Sequence, residues 1–270
     1  MKIGVRAHDY GKMEIEKLAE TLHNAGYEAA QLALPKAFAG IDSYADITPK
    51  HLERIRTAFE KWNVEIPVFG CYMDLGNPDD EVRRFAVDTM KQCLAYSKEV
   101  GAKVLGTETA YPHLTKEEKK IWYPYMMDSI KRVVDEAVRL DVKLAIEPVY
   151  WHPLENLEAV QDVMEQVKDE AHLRMIFDAS NLLEFPDTTD QRAYWSEWLL
   201  TIGKYIEAMH IKDFYFDENR TYCPTPLGKG AIDYSVISEW LHANKPEMYL
   251  LREEMNPEIA QADIAFMRKL

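Results

Sequence analysis

Four side chains able to bind a divalent cation, Glu147, Asp178, His210 and Glu253, lie at the ends of short apolar runs: KLAIE, RMIFD, EAMHIKD and YLLRE. Three carboxylates and one imidazole make a hard to borderline donor set. A cation held by such a set polarises a substrate oxygen and steadies the negative charge that develops on it. An acidic residue at a strand end, taken alone, is equally well explained as a cap for the helix that follows. Four such residues in consecutive strand and helix units point elsewhere, because the C-terminal ends of barrel strands converge on one pocket. The pattern predicts a metal-dependent enzyme.

The elements that must position these groups follow from periodicity. Short aliphatic runs beginning at Lys2, Ala29, Val64, Ala102, Val142, Leu173, Ile206 and Met248 alternate with amphipathic segments such as MEIEKLAETLHNAG and VRRFAVDTMKQCLAYSKEVG. That alternation predicts strand and helix units around a parallel sheet, and eight units close a barrel. Gly26 and Gly101 stand where helix C-caps are expected. With 270 residues, 47% of them hydrophobic, the chain suits one α/β domain spanning 1–270, a (β/α)8 TIM barrel. Because side chains alternate across a strand, Ala145 shares a face with Glu147, Ile176 with Asp178, and Ala208 with His210 and Lys212. A slip of one residue in the last strand exchanges Glu253 for Glu254.

Further side chains are candidates for contact with a substrate. Lys212 either projects into the pocket, where it neutralises an anionic group, or pairs with Asp213 at the rim. His152, just after Glu147, reads as a proton donor, a sugar contact or a structural imidazole. Arg6 and His8 share parity at the end of the first strand and enter from the opposite side. Glu108, closing the fourth strand in GTETAYP, can hydrogen-bond hydroxyls, and Trp151, Tyr72 and Tyr111 suit stacking on a sugar ring. The segment from Phe214 to Gly230 reads as a long irregular rim loop, a candidate cover for the substrate. Its PLGKG stretch lacks the GxxxxGK[ST] spacing of a phosphate loop and reads as a tight turn before a helix near Asp233.

Composition narrows the partners. A net charge of −14 argues against nucleic acid, which needs clustered Lys and Arg. Cys71, Cys93 and Cys223 are odd in number and widely spaced, so neither a disulfide framework nor a thiolate zinc site is expected. No apolar run approaches the roughly 20 residues that span a bilayer, and MKIGVRAHDYG is no leader. The expectation is a cytoplasmic protein with no membrane partner.

Taken in order, IEPVYWH, FDASNLL, MHIKDF, PLGKGAIDY and LLREEMNP resemble the sugar phosphate isomerase/epimerase family, a xylose-isomerase-like group of TIM barrels. That group also contains ketose 3-epimerases, inosose dehydratases and, more distantly, endonuclease IV. The resemblance implies metal ligation by Glu147, Asp178, His210 and Glu253, with Glu147 and Glu253 also acting as acid and base on opposite faces of a bound ketose. It implies a homo-oligomer as well. Where many relatives carry a histidine, this chain has Asn181, which can hydrogen-bond a sugar hydroxyl but is a poor zinc ligand. The FHMN segment of the ketose 3-epimerases and the extra histidines of a trinuclear zinc nuclease are absent from the sequence. Mn²⁺ is the first expectation for the metal, with Mg²⁺, Co²⁺ and Zn²⁺ as alternatives.

The expected function is isomerisation or epimerisation of a small sugar or sugar-derived ketone through an enediolate. The alternatives are a lyase on the same platform (a dehydratase, a decarboxylase or a 3-oxo-C-glycoside-cleaving enzyme) and a barrel that binds sugar without reacting.

Overall fold

The apolar runs become strands that start within two residues of the expected positions. In the computed structural model, which describes residues 1–254 and 256–270, they are β1 (Lys2–Arg6), β2 (Ala29–Leu32), β3 (Glu65–Gly70), β4 (Val104–Thr107), β5 (Leu144–Ile146), β6 (Leu173–Asp178) and β7 (Ile206–Ile211). An antiparallel ribbon, β8 (Asp213–Phe216) with β9 (Tyr222–Thr225), precedes the last barrel strand, β10 (Tyr249–Arg252). Among the described residues, eight parallel strands close in the order β1-β10-β7-β6-β5-β4-β3-β2, with helices between them: a TIM barrel.

Strand parity sorts the barrel into two layers. Ala29, Val68, Val104, Ala145, Ile176, Ala208 and Leu251 fill the interior, while the alternate residues join the larger core under the helices. The interior is narrow enough to demand small residues. A Cβ on Gly106 would meet Val68 Cγ1 at 2.5 Å and Ile176 Cδ1 at 2.9 Å. Two steps further along each strand the same inward parity reaches the C-terminal mouth, so the interior becomes polar there.

The helices start and stop on local signals. Thr115 and Glu118 form a capping box at the start of helix Lys116–Leu140, and Asp79 accepts from the amides of Glu81 and Val82 to open helix Asp80–Glu99. Gly26 and Gly101 end helices at φ +93° and +78°, a conformation costly for any residue with a Cβ. No helix among the described residues is long and apolar enough to cross a membrane.

The segment expected to be an irregular loop is instead ordered by Asp213. This buried carboxylate accepts from the amides of Gly228 at 3.0 Å, Gly230 at 2.9 Å and Ile232 at 3.2 Å, and so ties the PLGKG turn to the root of the ribbon. Asp213 therefore points away from the barrel axis, and the rim pairing of Lys212 with Asp213 does not occur. Successive residues of an extended strand face opposite sides, so the two cannot meet.

A second buried clamp joins the C-terminal helix to the strand that carries Glu253. Arg252 Nε lies 2.7 Å from Asp263 Oδ2, both side chains are 2% exposed, and the guanidinium also donates to the carbonyl of Glu253. Asp263→Ala is expected to cost about 3 kcal/mol or more, because it strands a buried charge. A lowered denaturant midpoint would show this, and an unchanged midpoint would count against the clamp.

Candidate active site

Inward parity places Glu147, Asp178 and His210 in one buried cluster: one ligand atom from each lies within 4.8 Å of the others. Leu251, paired with His210, belongs to the inner layer, so Glu253, two residues on, faces the same point. Its Oε1 is 3.5 Å from His210 Nδ1, which is itself 2.9 Å from Glu147 Oε2. Glu254 turns away at φ 53° and accepts from the Tyr222 hydroxyl at 2.9 Å.

On each of two ligand candidates one atom meets only charged side chains. Asp178 Oδ1 accepts from the amide of Ser180 at 2.8 Å, from its hydroxyl at 2.8 Å and from the amide of Asn181 at 3.3 Å, whereas Oδ2 has no hydrogen-bond partner. His210 Nε2 is 2.5 Å from Gln31 Oε1, and Nδ1 has no hydrogen-bond partner. The Gln31 amide nitrogen is directed at Tyr72 and Glu253, so its oxygen accepts from Nε2–H and Nδ1 is turned to the carboxylates, where it would give up its proton to bind a cation. Buried carboxylate oxygens and an imidazole nitrogen gathered at one point fit a divalent cation.

Electrostatics follow from the same crowding. Burial pushes the Asp178 carboxyl up to about 6 against the pull of Lys212. Burial works against protonation of His210, but the carboxylates of Glu253 and Glu147 overcome it and raise the imidazole to about 9. Glu253 is also opposed by burial, yet His210, Arg6 and Lys212 hold it well below the usual carboxylate range. Lys212 Nζ reaches Asp178 Oδ2 at 3.2 Å, Glu253 Oε2 at 3.5 Å and Glu254 Oε1 at 3.5 Å. It lies inside the cluster as a neutralising cation.

Above the cluster opens a pocket of about 400 Å³, whose walls include Arg6, His8, Glu108, Tyr111, Trp151 and Asn181. Arg6 lies 3.6 Å from Glu253 Oε2 and is held at 2.8 Å by Asp9. Burial and the neighbouring Glu147 raise the Glu108 carboxyl to about 8. His152 is fully buried 3.8 Å behind Glu108, with neither ring nitrogen hydrogen-bonded, and burial lowers it to about 3. It backs the wall rather than lining it.

Residues 19–270 match the family described as xylose isomerase-like TIM barrel. The chain belongs to that family. Among its relatives is L-ribulose-5-phosphate 3-epimerase UlaE of Escherichia coli, 24% identical over 232 residues that cover 79% of this chain and 76% of the relative. Among solved structures, 3-keto-D-glucoside 4-epimerase YcjR of E. coli superposes with a TM-score of 0.75 at 17% identity, covering 100% of both chains. The IOLI protein, solved with a bound zinc atom, gives a TM-score of 0.73 at 17% identity over 100% of this chain and 95% of that one.

Within this xylose isomerase-like barrel, three contributors escape sequence reasoning: Gln31, Tyr222 and Lys36. Gln31 gives a faint signal as the one polar residue within AAQLAL. Asn181 differs from its expected role by donating to Glu147 Oε1 at 2.6 Å, so it orients a carboxylate as well as lining the pocket. Asn181→Ala is expected to lower kcat about tenfold with metal content retained, since partners of a ligand typically tune activity by 10–100-fold. Loss of bound metal in that variant would instead make Asn181 part of the ligand shell.

Proposed function

We propose that this chain is a divalent-metal-dependent epimerase of a small ketose or sugar-derived ketone, acting by proton transfer through an enediolate. One observation carries the reading: carboxylates from two separate strands, Glu147 after β5 and Glu253 after β10, converge on a single imidazole nitrogen at 2.9 and 3.5 Å. They lie beneath a pocket of about 400 Å³, within the range of small-molecule sites. The names of the two epimerases similar to this chain agree with that arrangement.

The proton steps assign roles to both glutamates. Glu253, kept ionised by Arg6, Lys212 and His210, is suited to remove the proton from the carbon beside the carbonyl. Glu147 on the other flank then delivers a proton to the opposite face, inverting that carbon without change of mass. In the reverse direction the roles exchange. Glu147, Asp178, His210 and Glu253 would hold the cation, which would supply Lewis-acid stabilisation of the enediolate charge; Mn²⁺ is preferred, and Mg²⁺, Co²⁺ and Zn²⁺ are accepted by the same donors. Lys212 adds fixed positive charge at the same place. Glu108 hydrogen-bonds a substrate hydroxyl, and Tyr72, Tyr111 and Trp151 offer ring faces to the sugar.

The test is product identity. The metal-reconstituted protein, incubated with a panel of ketoses, 3-oxo sugars and their phosphates, should yield an epimer of unchanged mass. A product lighter by water or carbon dioxide would replace epimerisation with elimination or decarboxylation.

A further inference from the structure

We propose that Gln31 is a positioning residue for the cation site, and that Tyr72, on the pocket wall, governs cation binding through it. This rests on the buried carboxylates and imidazole being a cation site, and it assigns control of that site to two residues that supply no ligand. Gln31 follows Ala29 of the inner layer by two residues on β2, so it points into the barrel where the interior turns polar. The side chain is fully buried, and its amide spans two ligand candidates. Oε1 lies 2.5 Å from His210 Nε2, and Nε2 lies 3.4 Å from Glu253 Oε1, the oxygen that is itself 3.5 Å from His210 Nδ1. The other N–H of the same amide meets the Tyr72 hydroxyl.

The direction of this amide decides which imidazole nitrogen is available. A carboxylate only accepts, so Glu253 selects the orientation with nitrogen toward itself and oxygen toward His210. The oxygen then takes Nε2–H and Nδ1 faces the cluster. A reversed amide would donate to Nε2 and place the imidazole proton on Nδ1, where it would block a cation. Tyr72 secures the amide from the pocket side, and its own position is braced. Gly70 leaves room for the ring, since a Cβ there would meet Cε2 at 3.0 Å. Lys36 lies over the ring, 5.3 Å from its centre, and the Tyr111 hydroxyl bonds the Tyr72 carbonyl. A wall residue of the pocket is thereby joined through one amide to the imidazole and to Glu253.

Two measurements on the whole protein test this. The first is calorimetric titration of Mn²⁺ into the metal-free wild type, Gln31→Met, Tyr72→Phe and the double variant. Met keeps the length of the side chain without the amide, and Phe keeps the ring without the hydroxyl. Gln31→Met should bind about tenfold more weakly, as loss of a ligand's partner does. Tyr72→Phe should bind about threefold more weakly, the share of one hydrogen bond. In the double variant Tyr72→Phe should add nothing, because its effect passes through Gln31. Wild-type affinity in Gln31→Met, or an equal loss from Tyr72→Phe with and without Gln31, would overturn the coupling while the cation site stands. A wild type that binds no Mn²⁺ would overturn the cation site and the coupling together. The second is proton NMR of the Zn²⁺-loaded protein labelled with ¹⁵N-histidine, in which the His210 signal is identified by its absence from His210→Ala. The wild type should show a downfield, slowly exchanging proton on Nε2, and Gln31→Met should lose it. The same protected signal in Gln31→Met would contradict the positioning role, which a general loosening of the core would not reproduce.

Discussion

Glu147→Gln is expected to reduce epimer interconversion by about a thousandfold, within the range contributed by a positioned acid or base. Glutamine fills the same volume beside Asn181 and His210 but can neither take nor give the carboxyl proton. The fold should tolerate it, because Asn181 Nδ2, now 2.6 Å from Glu147 Oε1, can still donate to the amide oxygen. The assay must be run with metal restored and its content measured, since Glu147 is also a candidate ligand. Proton exchange supplies a sharper readout. With Glu253 intact, one epimer should still exchange its proton with solvent while the other should not. Wild-type turnover in Glu147→Gln would remove this carboxylate from the mechanism, and symmetrical exchange from both epimers would contradict the division of labour between the two glutamates.

Removal of a donor from the buried cluster is expected to act on the metal before it acts on the fold. His210→Ala deletes the imidazole whose Nδ1 stands between Glu147 and Glu253, and Asp178→Ala deletes the Oδ2 that faces Lys212. Each should weaken divalent-cation binding by at least about a hundredfold, the upper end of what loss of a mere ligand partner causes. Metal content after dialysis checks this directly. Asp178→Ala carries a further cost, because Oδ1 caps the helix Ala179–Leu182, so its thermal midpoint should fall more than one cap alone explains if Lys212 also loses its partner. Full metal retention in both variants would refute the proposed shell.

Much of this arrangement is legible in the sequence because it depends on short-range regularities. The strands announce themselves as apolar runs between amphipathic segments, and the two-residue step from Ala145 to Glu147, Ile176 to Asp178 and Ala208 to His210 is enough to aim the candidate ligands inward. The ambiguity between Glu253 and Glu254 needs the pairing of Leu251 with His210, a contact between strands that periodicity within one strand cannot supply. Gln31 is hidden for the same reason: its bond to His210 crosses 179 positions of sequence through the barrel interior.

Where the chain leaves regular structure, sequence proximity misleads. His152 follows Glu147 closely, but the amide of Val149 bonds the carbonyl of Leu154 at 3.0 Å, and the turn swings the imidazole behind Glu108. The ribbon after β7 reads as a loop because FYFDENR and YCPT carry Asp217, Asn219 and Pro224, residues typical of turns. A two-stranded ribbon tolerates a proline at its edge, and Phe214 opposite Pro224 keeps the pairing in register. Tyr222 reaches Glu254 only because that pairing folds the second strand back over the mouth.

Proton transfer to and from the substrate carbon by two carboxylates of a metal-loaded barrel is tested most directly by proton NMR in D₂O of the metal-reconstituted protein with ketoses, 3-oxo sugars, inososes and their phosphates. Deuterium is expected to enter at the carbon beside the carbonyl, at a rate matched to the appearance of the epimer, and to be lost on chelation of the metal. Stoichiometric metal with no exchange in any of these substrates, or epimer formation without deuterium incorporation, would contradict it.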